Sequence, residues 1–210
     1  MKYAILAGVV SLGLFVTGAQ AQEGFNNEVT VSAFGTFQQN TSGNGINQSA
    51  EQQAGVLATY RYYFSTHQGL EFDYGFSRYN QQYTSGSGFA GLASVSGNSL
   101  AVPADTHEAT TSYVFRFSPK HRLTPFLTAG GGLLIFNPQT LAFGSGNGNT
   151  FVSPDFVYGG GADLALSHRV SLRLGYRGHL FEAPGFGVAA IKTGSLAHMA
   201  EPFAGLSFHF

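Results

Sequence analysis

The sequence predicts an all-β fold, an eight-stranded antiparallel up-and-down transmembrane β-barrel, on three observations. Eight segments alternate apolar and polar residues with a period of two. One face of these segments carries no charged residue, whereas the other carries carboxylates and guanidinium groups. The chain ends in such a segment, with Phe210 as its last residue. A closed barrel in lipid accounts for all three, because its outer face is apolar and its last strand pairs with its first.

The first 21 residues are predicted to be a signal peptide. Lys2 precedes an apolar stretch, 3–16, and the small-residue pattern Ala19-Gln20-Ala21 follows it. The stretch is shorter than the roughly 20 residues that a membrane-spanning helix needs. We expect cleavage after Ala21, which leaves 22–210 as a single outer-membrane β-barrel domain.

The predicted strands are 28–38, 55–64, 70–79, 108–117, 124–136, 156–166, 170–180 and 201–210. Each is close to the roughly 9–11 residues of a tilted membrane-spanning strand. The connections alternate between three short ones and four long ones rich in Gly, Ser, Asn and Gln. The short ones are 65–69, 118–123 and 167–169, and the long ones are 39–54, 80–107, 137–155 and 181–200. This alternation predicts periplasmic turns and termini, with extracellular loops at the other end.

One face of each predicted strand is apolar and is expected to contact lipid. In chain order its residues are Val29, Val31, Ala33, Gly35 and Phe37; Val56, Ala58, Tyr60, Tyr62 and Phe64; Leu70, Phe72, Tyr74 and Phe76; Ala109, Thr111, Tyr113, Phe115 and Phe117; Leu127, Ala129, Leu133 and Ile135; Phe156, Tyr158, Gly160, Ala162, Leu164 and Leu166; Val170, Leu172, Leu174, Tyr176, Gly178 and Leu180; and Ala204, Leu206, Phe208 and Phe210. The fifth strand is the ambiguous one, since the run 130–132 of three glycines interrupts its alternation.

The opposite face is polar and is expected to line the lumen. It carries Glu28, Arg61, Glu71, Asp73, Glu108, Arg116, Asp163, Arg173, Arg177, His179, Glu201 and His209. If Phe64 pairs with Leu70, Arg61 lies opposite Asp73. If Leu166 pairs with Val170, Asp163 lies opposite Arg173. Two hairpins would then place opposite charges next to each other, so we predict the lumen ion pairs Arg61–Asp73 and Asp163–Arg173.

Composition excludes several classes of function. Charged residues make up 10% of the chain, against about 25% in typical soluble domains. The chain has no cysteine, which excludes disulfides and thiolate chemistry. Its net charge is −1 and it has no basic run, so nucleic acid is not an expected partner.

Two groups of residues are candidates for chemistry. His107, His179 and His198, with Glu108, Glu182 and Glu201, all fall near the extracellular rim and suggest a metal or acid–base site. The simpler interpretation is that polar residues lie where the lumen meets water. Ser195 and His198 suggest a hydrolase pair, but they fall in a predicted loop. We therefore expect no catalytic residue, no cofactor and no metal.

The stretches 123–132 and 159–177, with the alternating C-terminal strand, resemble the small outer-membrane barrels of the OmpA/OmpX-like superfamily. The resemblance implies an outer-membrane location with lipids as partners. It also implies that Phe208 and Phe210 form the assembly signal read by the barrel-assembly machinery, and that the extracellular loops have a partner that the sequence does not identify.

The sequence favours an integral outer-membrane protein with a plugged polar lumen and an envelope-structural or surface-contact role. An eight-stranded barrel is just wide enough for side chains to fill its interior. The alternatives are a narrow channel for small or hydrophobic solutes and a lipid-modifying outer-membrane enzyme.

Overall fold

The computed structural model describes residues 26–89, 98–117, 121–139 and 149–210, so the predicted signal peptide and its cleavage site lie outside the described residues. Ten strands are present in this part of the chain. They are β1 (Asn27–Gln38), β2 (Thr41–Gly43), β3 (Ile46–Ala50), β4 (Gln53–Tyr63), β5 (Gln68–Ser85), β6 (Ser99–Arg116), β7 (Leu123–Pro138), β8 (Phe151–Ala165), β9 (Val170–Glu182) and β10 (Leu196–His209). A short 3-10 helix, Ala189–Ile191, precedes β10.

Eight of these strands form a closed antiparallel barrel, and β2 and β3 form an additional hairpin. Each wall strand pairs with its neighbours along the chain. The barrel closes where β1 pairs with β10, from Glu28 opposite His209 to Gln38 opposite Met199. The predicted fold class is therefore confirmed. No helix among the described residues is long and apolar enough to cross a membrane.

Side-chain burial alternates along the wall strands as the sequence predicts. In β1, Val31 is 64% exposed on the outer face, whereas Thr30 on the inner face is 1% exposed. The same alternation resolves the ambiguous fifth predicted strand. Leu127 and Leu133 of β7 face outward, and Phe126 and Leu134 face the lumen.

Glycines in β7 allow the neighbouring strands to approach closely. A Cβ atom added at Gly130 or Gly132 would collide with the backbone of β6, at the carbonyl oxygens of Thr111 and Ala109. A side chain at either position would push the two strands apart. The glycine run therefore serves the packing of the wall.

The barrel is longer at one end than the sequence predicts. The predicted strand 70–79 continues to Ser85, and the predicted strand 108–117 begins at Ser99. The predicted long loop 39–54 contains β2 and β3, and β3 pairs with the β5 extension. Outer positions such as Asn80 and Gln82 are polar here, so the apolar alternation ends before the backbone ladder does. We call this end the long-loop end and the opposite one the short-turn end.

The last predicted loop, 181–200, folds back over the lumen. Phe186 and Ile191 are each almost fully buried there. Phe186 adopts a left-handed backbone conformation with φ of 48°. These side chains pack on inward-facing wall residues to form what we call the apolar cap: Ile46, Tyr83, Phe89, Leu100, Val102, Ala104, Leu134, Phe136, Phe181, Ala183, Phe186, Ile191, Ala197 and Met199.

The C-terminal strand gives a testable prediction about assembly. Phe208 and Phe210 lie on the outer face, 46% and 45% exposed, with their rings stacked 6.2 Å apart. Replacing both with Asp would remove the two rings and put charges on the apolar outer face of the last strand, which we predict to meet lipid. We expect the double variant to fail to insert, as measured by loss of heat-modifiable gel migration. His209→Gln, on the inner face of the same strand, is the control, and normal migration of the double variant would contradict the prediction.

Candidate functional site

The inner surface of the barrel carries two clusters of buried charges below the apolar cap. The cluster nearer the short turns, called here the short-turn cluster, consists of Glu28, Arg61, Glu71, Asp163 and Arg173. The second, called the mid-barrel cluster, consists of Asp73, Glu108, Asp155, Arg177, His179 and Glu201. All eleven residues are at most 6% exposed. Buried charges of this kind need partners, because an unpaired one is costly to desolvate.

Arg173 organises the short-turn cluster. Its Nε and Nη2 donate to the two carboxylate oxygens of Asp163, at 2.6 and 2.8 Å. Nη1 donates to Thr30 Oγ1 at 2.9 Å, and the guanidinium also forms an ion pair with Glu28. The structure thus brings Asp163 and Arg173 directly opposite each other on β8 and β9. This bidentate geometry suits a guanidinium and a carboxylate, since both groups are planar.

The predicted pairing of Arg61 with Asp73 is wrong, because Arg61 lies opposite Glu71 and forms an ion pair with it. The register is shifted by two residues from the predicted one. Asp73 instead accepts hydrogen bonds from Thr59 and Thr110, at 2.6 and 3.3 Å. It also lies 3.6 Å from Arg177 Nη1.

The shift has a local cause in the turn between β4 and β5. The turn closes between Phe64 and Gln68, and the hydroxyl of Ser65 accepts the backbone N–H of Gln68 at 3.1 Å. The turn between β8 and β9 is built the same way, with Ser167 accepting the N–H of Val170 at 3.1 Å. Since Gln68 and Gly69 are not apolar, the alternation places the strand start at Leu70, two residues late. The serine at the first turn position is the signal in the sequence that predicts the correct register.

An aromatic ring joins the two arginines of the short-turn cluster. The guanidinium carbons of Arg61 and Arg173 lie 4.1 and 5.2 Å from the centre of the Phe126 ring. Arg61 Nη1 also lies 3.8 Å from Asp163 Oδ2. Cation–π contact with the ring adds to the ion pairs. The arginines and carboxylates therefore form one network that fills the lumen at this level.

Arg177 is the only arginine of the mid-barrel cluster. Its Nη2 donates to Glu201 Oε2 at 2.6 Å and to Glu108 Oε1. A Cβ added at Gly75, which lies directly opposite Glu108 in the β5–β6 ladder, would collide with the Glu108 carboxylate. The glycine therefore leaves the space that this carboxylate occupies.

His179 lies beside the same two glutamates. Its Nδ1 is 2.7 Å from Asp155 Oδ2. Its Nε2 is 3.3 Å from Glu201 Oε2 and 3.9 Å from Glu108 Oε2, yet it makes no hydrogen bond with any described residue. One donor atom from each of Glu108, His179 and Glu201 lies within 4.8 Å of the others, a spacing that can hold a metal ion.

The structure separates the six rim residues that the sequence grouped together. Glu108, His179 and Glu201 converge in the lumen, whereas two of the others lie on the outer face. There, His107 Nδ1 pairs with the Tyr74 hydroxyl at 2.8 Å, and His198 Nε2 pairs with the Tyr158 hydroxyl at 2.9 Å. The third, Glu182, lies at the rim beside Lys192. The mid-barrel cluster also contains Asp155, which fell in a predicted loop.

The suggested hydrolase pair is not assembled. Ser195 Oγ donates to the carbonyl oxygen of Ser42 at 2.9 Å, while His198 Nε2 is engaged with Tyr158. The two side chains thus have separate partners.

Solved structures of bacterial outer-membrane barrels share this fold. OprG from Pseudomonas aeruginosa superposes with a TM-score of 0.60 at 10% identity, covering 89% of this chain and 97% of that one. Neisserial surface protein A (NspA) gives 0.53 at 16% identity, covering 90% and 100%. AlkL, solved in DMPC lipid bilayers, gives 0.52 at 12% identity, covering 95% and 97%. No protein-family model matches the chain, and neither does any curated protein sequence. The chain has the fold of small outer-membrane β-barrels.

The short-turn cluster gives a prediction about stability. Removing one partner of a buried ion pair typically costs about 3–5 kcal/mol, because the other charge is left uncompensated. For Asp163→Ala we expect the lower end of that range, since Arg173 retains Glu28 and Thr30. The double variant Asp163→Ala, Arg173→Ala should lose less stability than the sum of the two single variants. Urea unfolding of the detergent-folded barrel, followed by tyrosine fluorescence, measures all three.

The matched control is the exposed pair Arg78–Asp105, at 2.6 Å on the outer face. Its removal should cost at most about 1 kcal/mol, because solvent screens an exposed pair. Equal losses for Asp163→Ala and Asp105→Ala, or strict additivity in the double variant, would contradict the prediction.

Proposed function

We propose that this chain is an integral outer-membrane protein with a closed lumen, which acts as a structural or surface-contact element of the envelope. The observation that carries the proposal is that buried side chains fill the lumen along the whole described length of the barrel. The short-turn cluster, the mid-barrel cluster and the apolar cap succeed one another along the barrel. A second group of buried apolar side chains, separate from the apolar cap, packs on the inner face of the wall: Phe34, Leu57, Tyr63, Val114, Phe126 and Phe203.

The outer face supports the membrane location. Exposed large apolar residues lie on all eight wall strands, which is a costly surface in water and a favourable one in lipid. Along β5 and β6, the first charged outward-facing residues after the short turn are Arg78 and Asp105. We infer that the membrane boundary on the long-loop side lies near this pair, and that the extensions of β5 and β6 project beyond it.

The long-loop end supports a surface-contact role because its described segments are held together by hydrogen bonds. The β2–β3 hairpin is attached to the segment before β10 by three hydrogen bonds. Asn44 Nδ2 donates to the carbonyl oxygens of Lys192 and Thr193, at 3.1 and 3.2 Å, and Ser195 donates to Ser42. A pre-ordered surface loses little conformational entropy on binding, which suits recognition of another surface.

We also propose that the protein is not an enzyme. The separation of Ser195 from His198 removes the sequence feature that suggested a lipid hydrolase. A catalytic site also needs room for a substrate beside its reactive groups. The charged groups of the lumen are instead buried, because other side chains fill the lumen on either side of them along the barrel axis.

The closed lumen predicts the absence of steady conductance. Purified barrel reconstituted in a planar bilayer should give no stable open level, because the ion pairs and the apolar cap leave no continuous water path. A porin added to the same bilayer is the positive control, and heat-modifiable migration of the recovered protein verifies folding. A large stable conductance would contradict the closed lumen and favour the narrow channel.

The orientation predicts which turns an external protease reaches. A protease site inserted after Gly45, in the exposed β2–β3 turn, should be cleaved on intact cells, whereas one inserted after His67 should not. Both sites should be cleaved once the outer membrane is opened, which controls for local accessibility. Cleavage after His67 in sealed cells would overturn the orientation.

A further inference from the structure

We propose that the mid-barrel cluster holds a divalent transition-metal ion such as Zn²⁺, with Glu108, His179 and Glu201 as its ligands and Asp155 as the group that orients the histidine. Two independent observations carry the proposal. One is the balance of charge in the cluster, and the other is the environment of a single buried nitrogen atom.

The charge balance of the mid-barrel cluster is strongly negative. Its four carboxylates belong to Asp73, Glu108, Asp155 and Glu201, and its only guanidinium is that of Arg177. The net charge of the cluster is therefore −3 when His179 is neutral and −2 when His179 is protonated. In the short-turn cluster, three carboxylates face Arg61 and Arg173, and Arg116 lies close by over the Tyr63 ring. The mid-barrel cluster therefore has more negative charge than Arg177 balances, which favours the binding of a further cation, because unbalanced buried charge is costly.

The buried nitrogen is Nε2 of His179. With Nδ1 donating its proton to Asp155, the neutral ring presents the Nε2 lone pair to Glu108 and Glu201. A lone pair facing two carboxylates is repulsive, and either a proton on Nε2 or a metal ion between the three groups removes the repulsion. His179 is fully buried, and its Nε2 has no hydrogen-bond partner among the described residues.

The geometry suits a metal ion of the zinc type. Ligands about 2.0–2.2 Å from a tetrahedral zinc lie about 3.3–3.6 Å from one another, and Nε2 lies 3.3 and 3.9 Å from its two carboxylate neighbours. Imidazole nitrogen favours zinc and related ions over calcium or magnesium. The hydrogen bond from Nδ1 to Asp155 is the carboxylate–histidine arrangement that orients metal-bound imidazoles.

Arg177 leaves the metal position open on the histidine side. It contacts Oε1 of Glu108, whereas Oε2 of the same carboxylate faces His179. At Glu201, the arginine shares Oε2 with the histidine. Arg177 Nη1 and Nε have no hydrogen-bond partner among the described residues, and Asp73 lies 3.6 Å from Nη1. The guanidinium can therefore shift toward Asp73 when an ion takes up Glu201.

The test is metal capture during refolding, since side chains fill the lumen on both sides of the cluster. The urea-denatured chain is refolded in zwitterionic detergent with Zn²⁺ or with EDTA, then desalted and analysed for metal by mass spectrometry. We expect one Zn²⁺ per folded chain after refolding with Zn²⁺ and a higher thermal midpoint than after EDTA, because an ion bound only by the folded state stabilises it. Wild-type protein with no retained Zn²⁺ would overturn the proposal and leave a proton on His179.

Refolding wild-type protein with Co²⁺ tests the ligands without any substitution. A four-coordinate nitrogen–oxygen site gives Co²⁺ a visible absorption much stronger than that of the hydrated ion. A spectrum like that of hydrated Co²⁺ would overturn the site.

Variants then assign the ligands, each judged only where heat-modifiable migration shows a folded barrel. Glu108→Gln and His179→Gln should retain no Zn²⁺ above the EDTA sample. Asp155→Asn keeps all three ligands and should weaken affinity by about 10–100-fold. His198→Gln, on the outer face, is the matched control and should bind like wild type. Loss of the ion in His198→Gln, or its retention in folded His179→Gln, would overturn the assignment.

Discussion

Closure of the strand ladder between β1 and β10 is the constraint on which the rest of this structure depends. A membrane interior offers no partner for a backbone N–H or carbonyl group, so a spanning sheet must satisfy both of its edges internally. Closure also divides every strand into an outer and an inner face. Because the side-chain period of a strand is two, the same alternation that exposes Val31 on the outer face directs Thr30 into the lumen.

The lumen then has to accommodate charges that the outer face cannot carry. Arg173 on β9 shows how this is done, since it reaches three acceptors on two other strands: Glu28 and Thr30 on β1 and Asp163 on β8. The arrangement stabilises the barrel as a whole because pairs such as Arg173–Glu28 and Arg177–Glu108 link strands that are not neighbours in the wall. The mid-barrel cluster follows the same design but has too few cations, and its surplus carboxylates surround His179.

The two ends of the barrel differ in what occupies them. At the short-turn end, three-residue turns built on Ser65 and Ser167 connect the strands directly. At the long-loop end, β5 and β6 extend beyond the apolar part of the wall, and the segment before β10 inserts Phe186 and Ile191 into the mouth of the lumen. The lumen is therefore filled by an ion-pair network packed around Phe126 toward the short-turn end, and by apolar side chains at the long-loop end.

The sequence by itself determined the fold class, the faces of the wall strands and most of the charged residues that line the lumen. These follow from the local alternation of apolar and polar residues, which does not depend on which strands pair or in what register. It placed Asp163 opposite Arg173 correctly, but it missed the register that brings Arg61 to Glu71, because a turn made of polar residues hides where β5 begins. The tertiary structure alone decided the rest: the fold of the segment before β10, the β2–β3 hairpin, and the meeting of Glu108, His179 and Glu201. These three residues come from three strands, and only the curvature and register of the closed wall bring them to one point.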